Sequence, residues 1–316
     1  YKKQIRYVQS RSTQASSEIV KYWDKLLSGK PDAKTKSANA VDPLLTTKWN
    51  QSPFVNDLCP YDNVEGERAV TGCAATAMAQ IMKFWNHPKK GSGFHSYDHE
   101  LYGTLSANFG GSTYDWASMS DEVNQANEAI AILMFHCGVS INMDYGVSSQ
   151  GGSGAYVISS HSPIDHCVEY SLKTYFNYDQ TVQGVERSDF TTAAWIDLLK
   201  TELNAGRPIE YAGFGLGGGH AFVCDGYDAN DFFHFNWGWG GYYDGYFIVD
   251  ALNPSGTGIG GGTGSYNSGQ QAIIGIQPLD QISDFDLQLY EAVTISENPL
   301  YFLDSFNVHS DIANFG

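Results

Sequence analysis

Three side chains of this sequence could together carry out nucleophilic catalysis. They are the thiol of Cys73, the imidazole of His220 and the side-chain amide of Asn236. A thiolate attacks carbonyl carbon, an imidazole moves the proton, and an amide can hold the imidazole in one tautomer. In this order along the chain, the three residues are the parts of a Cys–His–Asn triad, which predicts acyl-transfer chemistry.

Cys73 is predicted to lie at the start of a helix. It follows Gly72, and Pro88 marks the end of the helical pattern. Backbone N–H groups at a helix start stabilise a thiolate and can donate to an oxyanion. The alternative is a small, buried structural cysteine, which is the commoner case for a lone cysteine. One helical face is formed by Ala74, Ala77, Met78, Ile81 and Trp85.

His220 and Asn236 fall on two apolar runs that flank a hairpin signal at Asp228–Asp231. If Phe222 lies opposite Asn236, His220 shares the face of Asn236, one diagonal step away. A four-residue loop would place His220 and Asn236 on opposite faces, so this arrangement requires an odd loop or a bulge. It would let Asn236 fix the imidazole tautomer while Trp237 covers their contact from water.

The elements that must position these residues change in type along the chain. The first half predicts helices around Cys73–Trp85 and Asp121–Cys137, and the second half predicts short strands. Helices followed by strands favour an α+β fold of two parts that meet at a cleft. The predicted strands are Pro208–Tyr211, His220–Tyr227, Phe232–Trp237 and Tyr246–Val249.

The two ends of the chain differ from its dense middle, residues 40–278. Residues 1–39 end in a helical pattern followed by a polar linker at Ser28–Ser37, which is the arrangement of a zymogen with a cleavable linker. An ordinary N-terminal helix on a loop is the alternative. Residues 279–316 show period-two apolar stretches, which indicate the start of a β-rich C-terminal extension.

Composition excludes several classes of partner. The net charge is −17 over 316 residues and basic clusters are absent, which argues against a nucleic-acid partner. No apolar run is long enough for a membrane span. The glycine-rich segment 256–264 lacks the lysine and the strand–loop–helix context of a phosphate-binding loop.

Two histidine groups have spacings that a metal could use. They are His95, Asp98 and His99 in one segment and His161, Asp165 and His166 in another. Neither group supplies a full tetrahedral set or sits on a clear helix. We therefore expect no metal, and no cofactor of any other kind.

Long ordered motifs in this sequence resemble the streptopain family of bacterial papain-like cysteine peptidases, and within it the interpain-like members. The resemblance spans about Ala40–Pro278, and residues 1–36 resemble the end of that family's propeptide. The motifs are TGCAATAMAQIMKFWNHP, GGHAFVCDGYD, HFNWGWGGYYDGYF and DALNPSGTGIGGGTGSYNSGQQAIIGI.

The resemblance implies an α+β papain-like fold, with the cleft between a helical part and an antiparallel β part. It implies a secreted or cell-surface bacterial endopeptidase that forms a thioacyl-enzyme, acts on proteins or peptides, and processes its own propeptide. An apolar residue two positions before the scissile bond would be preferred. It implies catalytic roles for Cys73, His220, Asn236 and Trp237, and substrate binding by Gly151, Ser153 and Gly219.

The second oxyanion donor departs from the papain pattern. Papain-like enzymes usually have a glutamine a few residues before the cysteine, but Glu67–Gly72 contains none. Arg68 or a backbone amide of that segment could replace it. Two other functions remain open: a thiol acyltransferase or transglutaminase-type enzyme, which usually orients its histidine with aspartate, and a non-catalytic adhesive or metal-binding surface module.

Overall fold

The computed structural model describes residues 40–159, 165–262 and 264–279, together with four short strands beyond Pro278. By its contacts the chain divides into two units, Tyr1–Pro278 and Leu279–Gly316. The predicted propeptide remnant and linker, residues 1–39, lie outside the described residues, as do His161 and most of the predicted extension. In the second unit, Gln288–Leu289 pairs with Ile312–Ala313, and Thr294–Ile295 pairs with Val308–His309.

Four α-helices occur in the described part of the first unit. They are α1 (Cys73–Trp85), α2 (Glu128–Ser140), α3 (Val168–Thr174) and α4 (Thr192–Asn204). Helix α1 has the predicted bounds, and Asn86 in the left-handed region ends it. Helix α2 begins later than predicted because the side chain of Asn127 caps it, accepting from the N–H of Ile130 at 3.1 Å. None of the helices in the described residues is long and apolar enough to cross a membrane.

The second half of the described chain forms a six-stranded antiparallel sheet, so the predicted α+β layout is confirmed. The large sheet contains β5 (Gln183–Glu186), β6 (Ile209–Gly215), β7 (Gly218–Tyr227), β8 (Phe233–Asn236), β9 (Gly245–Phe247) and β10 (Ser268–Ile274). The order of the strands in this sheet is β5–β10–β6–β7–β8–β9. Two small hairpins in the first half are β1–β2 (Tyr61–Asp62, Glu67–Arg68) and β3–β4 (His95–His99, Gly103–Ala107).

Alternation along β7 places the sheet between two hydrophobic cores. Ala221 and Val223 belong to the core that contains α1 and α2, and α1 packs on β7. Phe222 and Cys224 belong to the aromatic core on the other face, beside α4. Strand β7, which carries His220, therefore lies where the helical part meets the β part.

The predicted register between β7 and β8 is wrong by one residue. Asn236 pairs with Val223 rather than Phe222, because residues 228–232 form an odd loop and a bulge between Cys224 and Gly226 shifts the register by one more residue. The residue in that bulge, Asp225, accepts from the Leu45 N–H at 3.0 Å and contacts His234 Nδ1 at 2.6 Å. A one-residue shift changes the face, so His220 and Asn236 lie on opposite faces of the sheet.

Candidate active site

Cys73 lies at the first position of α1 and faces the strand that carries His220. Gly72 before it has φ 86°, and a Cβ at Gly72 would lie 2.5 Å from the Met143 methyl carbon. The positive φ therefore favours glycine at this position, whereas the end of the flexible Met143 side chain could move away from a Cβ. The backbone N–H groups of Ala221 and Ala74 lie close enough to the Cys73 sulfur to lower the pKa of its thiol, so the thiol sits beside the residue that follows His220.

The electrostatics at Cys73 combine opposing effects. Burial raises the pKa of the thiol, whereas the N–H groups of Ala221 and Ala74 lower this pKa. The buried carboxyl of Glu210, on β6, raises it further. Among the described residues, no positively charged group lowers the pKa of the Cys73 thiol.

His220 is buried, and only one of its two ring nitrogens has a hydrogen-bond partner among the described residues. Its Nε2 lies 2.8 Å from the carbonyl oxygen of Trp237, which makes Nε2 the protonated nitrogen of the neutral ring. Its Nδ1 is buried and has no hydrogen-bond partner among the described residues. Burial lowers the pKa of His220 to about 4, and the Trp237 carbonyl opposes that shift. Nδ1 is therefore the nitrogen available to accept a proton.

The predicted contact between Asn236 and His220 is absent, because the corrected register turns Asn236 to the other face. The Asn236 amide nitrogen donates to the Thr47 carbonyl at 2.8 Å. Its Oδ1 accepts from the Gly238 N–H at 3.0 Å and from Gln80 Nε2 at 3.1 Å. Asn236 thus shapes the turn around Trp237 and ties β8 to α1, and the imidazole is held by a main-chain carbonyl.

The aromatic ring that covers His220 is also not the predicted one: it belongs to Trp239, two residues after Trp237. The ring of Trp239 stacks on the imidazole, with centroids 4.7 Å apart and planes 20° apart. Trp237 packs behind it against Phe222, at 4.4 Å between ring centroids. The Trp-Gly-Trp sequence contained the signal for this second tryptophan, but the spacing alone did not say which ring covers the histidine.

The three predicted substrate-binding residues differ in what they offer. Gly151 and Gly219 are exposed, and no atom lies within 4 Å of a Cβ at Gly151. A Cβ at Gly219 would lie 2.6 Å from the ring of Phe214. The Ser153 hydroxyl donates to the Val70 carbonyl at 2.7 Å, so it supports the segment before Gly72. The two glycines leave backbone accessible, whereas the serine side chain is already engaged.

A buried glutamine that sequence reasoning missed lies beside the approach to Cys73. The Gln51 carbonyl accepts from the Thr71 N–H at 3.1 Å, two residues before the cysteine. Its side-chain Nε2 donates to the Ile259 carbonyl at 2.7 Å, in the glycine-rich segment. A groove of about 370 Å³ next to it is lined by Asn50 and Gly240, the chain neighbours of Gln51 and Trp239. In the papain pattern the glutamine lies only a few residues before the cysteine, whereas Gln51 lies much further upstream of Cys73. The sequence therefore did not indicate Gln51 as an oxyanion donor.

The predicted histidine groups do not assemble into a metal centre in the described part of the chain, where no group of three His, Cys, Asp or Glu residues could hold a metal ion. His99 Nε2 lies 3.2 Å from Asp144 Oδ1. His166 contacts Asp165 at 3.0 Å, and His95 contacts Asn142 at 2.6 Å. Each of these three histidines therefore has a polar side chain as its neighbour.

Sequence comparison places the chain among known peptidases. The model of the peptidase C10 family matches residues 49–247. Streptopain of Streptococcus pyogenes is 42% identical over 244 residues, which cover 72% of this chain and 58% of streptopain. The match thus spans less than two thirds of that relative's length.

Solved structures agree with the fold described above. Active interpain A cysteine protease of Prevotella intermedia is 36% identical, with a TM-score of 0.65, and the match covers 78% of this chain and 98% of interpain A. A fragment of prointerpain A from the same organism is 32% identical, with a TM-score of 0.62 and coverage of 84% and 85%. These likenesses confirm the α+β papain-like fold.

Proposed function

The chain belongs to the peptidase C10 family, and on that premise we propose that it is a cysteine endopeptidase with Cys73 as nucleophile and His220 as general base. One observation carries the assignment of residues. The N–H of Ala221 lies close enough to the Cys73 sulfur to lower the pKa of its thiol, while the adjacent His220 has a buried Nδ1 with no hydrogen-bond partner among the described residues. This arrangement supports a thiol and a base that act on the same proton.

The reaction starts with transfer of the Cys73 proton to His220 Nδ1. Each group alone is neutral in this buried place, but the transfer creates a thiolate and an imidazolium that stabilise each other. The Nε2–H stays on the Trp237 carbonyl, which favours the imidazolium. The His220 ring is thereby held in the tautomer whose Nδ1 accepts the proton.

Hydrolysis then follows in two halves. The thiolate attacks the peptide carbonyl and gives a tetrahedral oxyanion; Nδ1–H of His220 protonates the departing amine, leaving a thioester on Cys73. His220 next takes a proton from water, whose hydroxide attacks the thioester. The acid product leaves, and the proton returns to the Cys73 sulfur.

Two donors are proposed for the oxyanion. The first is the N–H of Cys73 at the start of α1, where the helix supplies oriented donors. The second is the side-chain amide of Gln51, because its main chain is bonded to Thr71 and its side chain is buried. Gln51 takes the place that Arg68 held among the sequence-based alternatives; Arg68 instead donates to the Cys59 carbonyl at 2.7 Å.

Substrate contacts are proposed at Gly151, Ser153 and Gly219, where the two glycines expose backbone to a peptide. The half-exposed ring of Phe214 lies beside Gly219 and supports an apolar side chain two positions before the scissile bond. That preference rests on the resemblance to the streptopain family. Asn236 and Trp237 are proposed to act through the turn that presents the Trp237 carbonyl.

Synthesis as a zymogen, self-processing and secretion or cell-surface display are part of the same proposal. The match to prointerpain A covers more of this chain than the match to interpain A, 84% against 78%. A propeptide in residues 1–39 is consistent with that difference, and localisation rests on the family resemblance alone. The partners implied are protein or peptide substrates and the chain's own propeptide.

Casein hydrolysis tests the proposal. We expect a thiol alkylator to abolish the release of new N-termini, a chelator to leave it intact, and Cys73→Ala to be inactive. Full activity in Cys73→Ala would overturn the assignment. Incorporation of a free amine into casein without new N-termini would instead identify a transglutaminase-type enzyme.

A further inference from the structure

The loop from Trp237 to Asp244, which joins β8 to β9, holds the candidate base from two directions. The Trp237 carbonyl contacts His220 Nε2, and the Trp239 ring stacks on the imidazole. The Asn236 side chain accepts from the Gly238 N–H and so fixes the start of the loop. A contact that holds the end of this loop next to β9 therefore also helps to hold the His220 imidazole in place.

Asp244 closes the far end of the loop. Its Oδ1 accepts from the Trp237 N–H at 2.9 Å. The preceding carbonyl, of Tyr243, accepts from the Trp237 indole N–H at 3.0 Å. The same tryptophan therefore gives its N–H to Asp244 and its carbonyl to His220, so that one residue links the carboxylate to the base.

We propose that Asp244 is a positioning residue for the reaction, because its carboxylate holds the Trp237 backbone in the orientation that presents the Trp237 carbonyl to His220 Nε2. The inference rests on the proposed function of Cys73 and His220. It assigns Asp244 no contact with substrate. Its effect is on the imidazole, through the backbone of Trp237, whose N–H and carbonyl belong to two successive peptide units.

The surroundings of Asp244 show that a charge is costly here. Burial raises the pKa of Asp244 to about 6, which the Trp237 N–H and His234 oppose. The other charged groups that face it are Asp225, which raises this pKa, and Lys48, which lowers it. His234 is itself bonded to Asp225 at 2.6 Å, and Lys48 to Glu122 at 2.9 Å. Among the residues that the structure describes, no ion pair compensates the Asp244 carboxylate.

The sign of that pKa shift gives a test that separates positioning from stability. A carboxyl whose pKa is raised on folding contributes stability that is complete below its unfolded value, near 4, and is lost as the pH rises through about 6. At pH 8 the wild-type chain therefore carries the cost of the buried charge. Replacing the carboxylate with an amide removes that cost and keeps an oxygen that can accept from Trp237.

The experiment compares Asp244→Ala and Asp244→Asn with the wild-type chain at pH 8. We expect Asp244→Ala to lower kcat about 30-fold with KM within about 2-fold, since positioning acts on the chemical step. We expect Asp244→Asn to recover kcat to within about 5-fold and to match or exceed the wild-type Tm. Asp250→Ala, which removes a carboxylate from an exposed contact with Arg187, serves as the control with wild-type kcat.

Iodoacetamide alkylation of Cys73 between pH 4 and 9 supplies a readout that does not require peptidase activity. We expect Asp244→Ala to move the onset of alkylation to higher pH, because a displaced imidazolium stabilises the thiolate less. Wild-type kcat and alkylation in Asp244→Ala would overturn the proposal. The proposal would also be overturned if Asp244→Ala and Asp244→Asn lost kcat to the same extent and Tm to the same extent, because a purely structural role gives that result. A wild-type chain that cleaves no peptide would instead refute the proposed function.

Discussion

At the scale of single residues, the hydrogen-bond partner of His220 Nε2 is a main-chain carbonyl and not the predicted side chain of Asn236. Because the Trp237 carbonyl holds His220, no single side-chain substitution deletes that acceptor, and mutations can only displace it. The sequence predicts roles for Cys73 and His220 because a helix start after glycine and a histidine after three glycines are local signals. It could not identify the carbonyl, since every residue has one, nor Gln51, whose proximity depends on the fold.

Gln51→Ala tests the proposed second oxyanion donor. We expect kcat to fall about 100-fold, because a neutral donor in such a site is worth roughly 10²–10³ in rate. The rate of Cys73 alkylation should stay at the wild-type value, since alkylation forms no oxyanion. Gln180→Ala, at a glutamine that donates to the Lys173 carbonyl, is the control. Unchanged kcat in Gln51→Ala would remove Gln51 from the mechanism.

At the scale of elements, α1 followed its prediction and the β7–β8 pair did not. Helix α1 is specified within its own sequence, by Gly72, an apolar face and the proline beyond it. The register of β7 depends on Asp225, whose carboxylate bonds a distant N–H, that of Leu45. A bulge set by such tertiary contacts has no local pattern, so the prediction of an odd loop or a bulge did not include both, and the predicted pairing is one residue off.

Gly72→Ala tests how the start of α1 is set. We expect a loss of about 1–2 kcal/mol in the free energy of unfolding, since φ at Gly72 is in the left-handed region. We also expect a fall in kcat as the cysteine shifts. Gly66→Ala is the matched control: Gly66 has φ 74°, and no atom lies within 4 Å of its Cβ position. It should lose similar stability and keep kcat, and equal kcat in both variants would contradict this account.

At the scale of the whole molecule, a buried carboxyl lies where the sheet packs on the helical core. Both oxygens of Glu210 are buried without a hydrogen-bond partner among the described residues. Burial holds the pKa of Glu210 well above its usual range. Its stability contribution is therefore complete at acid pH and is lost as the pH rises through that raised value. The whole domain should become less stable towards alkaline pH for this reason.

Glu210→Leu should raise the free energy of unfolding by about 1–3 kcal/mol at pH 8 and by less at pH 5. Thermal unfolding at the two pH values measures the difference. Glu202→Leu is the contrasting variant, because Glu202 forms two contacts of 2.8 Å with Arg207. It should destabilise at both pH values. Equal stability of Glu210→Leu and the wild type at pH 8 would show that the carboxyl is solvated.

The division of the chain at Pro278 leads to a prediction about the second unit. Because residues 279–316 form a separate unit, a chain that ends at Pro278 should keep the kcat and Tm of the full chain. Side-by-side kinetics and thermal unfolding of the two chains measure this. A truncated chain with a clearly lower Tm would show that the extension supports the peptidase domain.

The most direct test of the central claim is alkylation of the native chain with iodoacetamide, followed by peptide mapping and an activity assay on the same sample. Cys73 is half-buried, while Cys59, Cys137, Cys167 and Cys224 are buried. We predict one label per chain, at Cys73, with peptidase activity lost in proportion to labelling. Activity that persists after Cys73 is fully labelled would contradict the account.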